Sequence, residues 1–184
     1  MDSSSGVSFQ DSNIMLQANS ADANDLQLKF RKSRNATDGG HTLVEDSDKL
    51  GSIEWYGSDG SNYVAAASIF SRVNGTPGNG DMPTELVFAT TADTSNSVTE
   101  RMVINNSGNV GVGTMSPNQK LTVEGSMSFK EQASANTSIG DYGQLWVKNE
   151  APNQLYFTND AGDDIQLTSG TGVVGVSASN GVNN

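Results

Sequence analysis

Apolar residues in this chain recur mostly at every second position. Between residues 100 and 125, Met102 and Ile104 alternate with polar neighbours, Val110 and Val112 with glycines, and Leu121 and Val123 flank Thr122. Asn106-Ser107-Gly108 and Ser116-Pro117-Asn118 interrupt the run. A period of two marks extended chain with one buried face, so the segment predicts strand, turn, strand, turn, strand. Upstream, Leu26, Leu28 and Phe30 predict a first strand and residues 42–44 a short one. Residues 50–56 and 63–73 form a hairpin around the Asp59-Gly60 turn. Ala65-Ala66-Ala67 would tolerate a helix by propensity, but Tyr63-Val64 and Ser68-Ile69-Phe70 on its flanks favour a strand. A breaker cluster at 74–81 precedes another strand at 84–90, with Leu86 and Phe88 on one side.

The clearest repeat lies further on. Leu145/Val147, Leu155/Phe157 and Ile165/Leu167 are apolar pairs at a spacing of ten residues, separated by Asn/Pro- and Asn/Asp/Gly-rich breakers. This predicts a β-meander whose strands present the same parity to one face. With Leu121 and Val123, these six residues are the expected core between subunits. Trp146 and Tyr156 have the opposite parity, so they stand on a second face, packed between subunits or open to a glycan. Trp55 and Tyr56 have the same two options. The resulting division is an arm or attachment segment at 1–24, holding the apolar cluster Ile14-Met15-Leu16, and a β-rich module at 25–125. A Ser/Ala/Asn/Thr-rich joint at 126–139, the meander at 140–168 and a flexible tail at 169–184 follow.

Composition bears on assembly. The chain has 184 residues, 34% hydrophobic and 7% aromatic, with 20 glycines. Even with glycine added, that reaches only the lower edge of the ~45–50% apolar content of ordinary domains. A lone copy would have a thin core, and regular alternation argues against simple disorder, so the apolar strips are expected to be buried between copies. The formal charge of −11 argues against nucleic acid and anionic membrane as partners. Of the ten Lys and Arg, only the group at 29–34 is locally basic, and it reads as solvated strand edges. Cysteine is absent, which excludes disulfides and thiolate metal sites. No apolar run reaches the ~20 residues of a membrane helix, and no signal peptide is read at the start.

Candidate chemistry is sparse. His41 is the sole histidine, sits after Gly39-Gly40, and has no Gly-x-Ser-x-Gly elbow to serve. Asp163-Asp164 would face opposite ways on a strand and makes a poor glycosidase pair. The acidic run Glu45-Asp46-Ser47-Asp48 could offer oxygen ligands to Ca²⁺ but lacks the calcium-loop pattern. Gly108 to Gly113 mimics a phosphate loop, yet no Lys-Ser/Thr or helix follows. The sequence therefore predicts no enzyme, no cofactor and no metal.

The segments also carry a resemblance. Glu100-Arg-Met-Val-Ile through Ser107-Gly-Asn-Val-Gly-Val-Gly-Thr114 to Lys120-Leu-Thr-Val123 resembles a module of bacteriophage tail-fibre and related virion fibre proteins. Leu50-Gly-Ser-Ile-Glu-Trp-Tyr-Gly57 with Ala65-Ala-Ala-Ser-Ile-Phe70 is similar to a second, and Gly75-Thr-Pro-Gly78 with Asp81-Met-Pro83 and Leu86-Val-Phe88 to a third. Gly143-Gln-Leu-Trp-Val-Lys-Asn149 with Leu155-Tyr-Phe-Thr158 is similar to a fourth, and the four stand in the usual order. The resemblance implies an all-β, elongated homotrimer, built as a β-prism, a β-meander or intertwined sandwich-like units. It further implies a virion protein assembled in the bacterial host cytoplasm, in contact with other virion proteins and a host surface glycan. Many members carry a self-cleaving chaperone domain, and none is read here. A short head fibre or capsid-decoration protein is the alternative, and a capsule depolymerase or a bacterial adhesin fragment the second.

Overall fold

The computed structural model describes residue 17, residues 27–137 and 139–169, and the backbone of residues 172–173. The Ile14-Met15-Leu16 cluster, Leu26 and most of the tail lie outside the described residues. The chain is all-β, with no helix among the described residues. It falls into two compact units, residues 1–124 and 125–184.

The first unit is a six-stranded sheet in chain order, β1 (Lys49–Ser58), β2 (Tyr63–Val73), β3 (Thr84–Thr91), β4 (Val98–Ile104), β5 (Val110–Val112) and β6 (Leu121–Val123). Neighbours up to β5 are antiparallel, and β5–β6 is parallel. Polar chemistry closes the turns. Asp59 Oδ1 accepts the Ser61 and Asn62 N–H groups at 2.7 Å each. Asn105 Oδ1 accepts those of Ser107 and Asn109 at 3.0 Å each, and Gly108 takes a φ of 70°. Both are Asx-type closures.

Register places Phe70, Val87, Val103 and Gly111 side by side on one face. Phe70, Val87, Ala89 and Val103 form the buried core there, with Val98 and Met115 packed against it. The β5–β6 crossover lies over this face. A side chain at Gly111 would collide with the Thr114 carbonyl and the Val103 methyl, and Gly113 turns the chain with a φ of 77°. The glycines of this stretch are therefore bare so that the crossover can sit close.

The same face ends in an ion network. Arg72 Nε donates to Glu85 Oε1 at 2.7 Å and Nη1 to Glu100 Oε1 at 2.9 Å, while Asn74 Nδ2 donates to Glu85 Oε2 at 2.7 Å. Glu85 is buried. Burial pulls the Arg72 pKa down, but hydrogen bonds and charge from Glu100 and Glu85 outweigh it and raise it. Lys49 Nζ and Arg72 Cζ lie 4.3 and 5.6 Å from the Phe70 ring centroid, both within cation–π range.

Residues 27–30 and 42–44 form no strand, contrary to their alternation. Phe30 packs instead over the bare backbone of Gly51. Ser33 and Thr42 are joined by hydrogen bonds, and Arg34 fastens this segment to Asp48 at 2.6 and 2.8 Å. These side chains and one backbone bond, from the Arg34 N–H to the Thr42 carbonyl at 3.3 Å, hold it without a strand ladder.

In the second unit, β7 (Glu131–Gln132), β8 (Gln144–Lys148), β9 (Gln154–Thr158) and β10 (Asp164–Gln166) make a sheet of order β10-β9-β8-β7. β11 (Thr168–Ser169) and β12 (Gly172–Val173) form a separate two-stranded ribbon. β7 lies in the segment read as a joint and pairs with β8 in parallel. Leu167 lies just past β10, where its N–H donates to the Leu155 carbonyl at 2.8 Å.

Candidate functional site

The meander strands pair in the register that their repeat predicts. Leu145 faces Phe157, and Phe157 faces Ile165. Val147 faces Leu155. These residues share one face, and that face is open: Leu145 is 47% exposed, Phe157 37% and Ile165 47%. The Phe157 ring lies over Gly143, the glycine before β8, where any side chain would collide with it.

The opposite face corrects the reading of the aromatics. Trp146 is only 5% exposed, so it is not an open glycan platform. Its indole Nε1–H donates to Thr158 Oγ1 at 2.8 Å, and the Thr158 hydroxyl donates to Asp164 Oδ1 at 2.5 Å. Tyr156, paired with Trp146 across the strands, stacks on it at 4.9 Å between centroids. Gln144 reaches from the same face to the carbonyls of Asn136 and Thr137 at 3.2 Å each. Parity separates the two faces correctly, but it cannot say which one the unit covers with its own chain. Trp146 has a partner for its N–H inside, as a buried indole requires, and the Leu145–Phe157–Ile165 row is the one left outside.

The first unit repeats this imbalance. Opposite its core, Ile53, Ile69, Phe88, Met102, Val112 and Val123 are consecutive cross-strand partners, one on each of six strands. A neighbouring row runs Gly51, Ser71, Leu86, Ile104, Val110, Leu121. Leu121 and Val123, expected in a subunit core, end these two rows. Leu86, Phe88, Met102, Ile104, Val110 and Val112 read in the sequence as an alternating buried face, but the face that the unit buries is the opposite one, with Val87 and Val103 at its centre, because β2 to β4 carry apolar residues at both parities. The usable signal was that excess, since one buried face accounts for only half of such a strand.

Trp55 and Tyr56 project to opposite sides near the end of β1, 48% and 55% exposed. Their cross-strand partners are Ala67 and Ala65, too small to cover them. The Tyr56 hydroxyl donates to Glu54 Oε2 at 2.8 Å, which lowers the Glu54 pKa and raises that of Tyr56.

The remaining candidates are occupied structurally or stand apart. Asp48 is tied to Arg34 and to the Glu45 N–H, and both hold its pKa well below the usual carboxylate range. Glu45 also pairs with Arg34, and Asp46 accepts the Gly75 N–H. Among the described residues no group of three or more His, Cys, Asp or Glu could hold a metal. His41 lines an open cavity of about 590 Å³ with Arg31, Lys32 and Asp38. Asp163 bonds to Asn159 while Asp164 bonds to Thr158, so the adjacent pair is divided between two partners. No helix among the described residues is long and apolar enough to cross a membrane.

The chain matches no protein-family model and no curated protein. What fold and site define together is an all-β chain whose most prominent surface feature is in-register apolar rows.

Proposed function

We propose that this chain is a non-catalytic structural protein of a bacteriophage particle, a homotrimeric fibre of the tail that takes part in host attachment. The observation that carries the reading is the open apolar row Leu145–Phe157–Ile165, set against an opposite face on which Trp146 and Thr158 are buried. A self-sufficient domain buries its aliphatic side chains and wets its Gln and Thr positions. An assembling one keeps an aliphatic strip for neighbouring copies, and closed cyclic symmetry lets three identical strips cover one another. The ordered sequence modules supply the particle and the trimer.

Native mass spectrometry of the purified chain at micromolar concentration tests the assembly, with a trimer expected. Gold-labelled antibody on purified virions tests the location, with label expected on tail fibres. Label on the head would replace the tail assignment by a decoration role, and unlabelled particles would remove the virion reading. Incubation with host capsule or lipopolysaccharide should release no new reducing ends; their appearance would establish a depolymerase.

A further inference from the structure

We infer that the face of the first unit opposite its core is a second self-interface, occupied by the same face or rim of another copy of this chain. The inference rests on the assembling role proposed above but concerns different residues. Its core is the row Ile53–Ile69–Phe88–Met102–Val112–Val123, with Leu86, Ile104, Val110 and Leu121 alongside.

Three observations select another copy as the occupant. The first is charge. The chain carries −11, so two copies repel wherever acidic surfaces meet. The two rows contain no Asp, Glu, Lys or Arg, and so offer a contact free of that repulsion. A partner recognised by charge would find nothing to pair with on them.

The second is the absence of an internal cover among the described residues. The crossover after β5, Met115 and the Arg72 network all serve the other face. On this one, among the described residues, Phe30 is seated over Gly51 and leaves beside it an apolar groove of about 350 Å³ floored by Ile53, Ile69 and Leu86. Ile53, Leu86 and Val112 remain 45%, 38% and 40% exposed. The groove is a socket for an apolar side chain from outside.

The third is the rim. Trp55, two residues past Ile53 on β1, continues the face beyond the rows, and Arg101, three strands across on β4, donates from Nε to Thr90 Oγ1 at 3.2 Å. An apolar centre with an aromatic and an arginine at its border is the usual composition of a protein contact. The Arg101 cation suits the acidic surface of a second copy.

Ile53→Glu and Val112→Glu place a charge in the rows at positions already solvent-accessible within one copy, so each unit should fold with its far-UV spectrum unchanged. Tyr63→Glu, at an 80% exposed aromatic outside the rows, is the matched control. By sedimentation velocity of the full chain, the two row variants should dissociate at least tenfold more readily than wild type, and Tyr63→Glu should not. Folded row variants that assemble like wild type overturn the inference and leave the fibre reading standing. A wild-type chain that is monomeric throughout overturns both. If a glutamate variant fails to fold, Val112→Cys gives the answer, because the chain has no other cysteine. A spin label there should show coupling between copies, and an uncoupled label overturns the proposal.

Discussion

The two units solve the same problem in opposite ways. The first covers a conventional face, Phe70, Val87, Ala89 and Val103, with its own crossover and loops, and leaves a second apolar face bare. The second buries Trp146 and Thr158, with Tyr156 stacked on the indole, and leaves the Leu145–Phe157–Ile165 row bare. One unit has more apolar surface than it can hide, and the other hides a hydrogen-bonded face in preference to a purely hydrocarbon one. In both, the sheet is a single layer with a self-covered side and a side available to something else. The comparison teaches that the residues each unit covers for its own stability are distinct from the apolar residues it leaves exposed, so separate variants can address the two sets.

The sharpest break should come from Trp146→Ala. Removing a buried Trp costs about 3–5 kcal/mol, and the Thr158 hydroxyl loses the N–H donor that satisfies it. The second unit should unfold while hydrogen exchange in β2 to β4 stays slow; equal loss of protection in both units would show that they do not melt independently. Arg72→Ala is the counterpart in the first unit. It leaves buried Glu85 without its cation, at a cost of about 3 kcal/mol or more. Denaturant unfolding followed in β2 and β3 should shift, and the second unit should not.

Phe157→Ala separates assembly from folding. If copies bury Phe157, the loss reaches the ~3–5 kcal/mol of a deleted core aromatic and appears as dissociation. A change in melting temperature that is independent of protein concentration would mean that Phe157 serves only its own unit.

The smallest effect concerns Asp48→Asn, which weakens the clasp of residues 30–44 on β1. The Asp48 pKa is depressed when folded, by its hydrogen bond to Arg34 first and by the Glu45 N–H second. Its contribution is therefore complete above the ordinary aspartate value of ~3.9 and is lost as pH falls below it toward the depressed value. Wild type and variant should differ in exchange of residues 30–44 at neutral pH, and the difference should shrink on acidification through that window. A difference that persists unchanged at low pH would assign the clasp to contacts other than this carboxylate.

Strand positions were legible in the sequence, since β1 to β6 and β8 to β10 fall where apolar runs and Gly, Asn, Asp and Pro breakers place them; which face is buried was not legible in β2 to β4, whose apolar residues occupy both parities. β7 was not legible, because Glu131-Gln132 has no apolar member to mark a face. Nor was the parallel pairing of β5 and β6, since alternation fixes which residues share a side but not strand direction. The Leu26–Leu28–Phe30 alternation misled because periodicity does not supply a ladder partner. At the described positions of that run, Phe30 goes onto a sheet face at a glycine. The candidate row at 145–165 was legible as a row. Its exposure was not, because that depends on where residues 133–137 and the Thr158 hydrogen bonds cover the opposite face.

The uneven lengths of the strand pairings have a mechanical consequence. β1 and β2 are joined through nine paired positions, whereas β5 and β6 share three. Tension transmitted along the chain past Val123 acts first on this terminal three-pair ladder. β6 should peel away before β2 and β3 feel the load, and the Phe70–Val87–Val103 core should remain closed while it does. Such a strand yields reversibly at low force and re-zips when the pull relaxes, lengthening the chain locally without opening the body of the sheet.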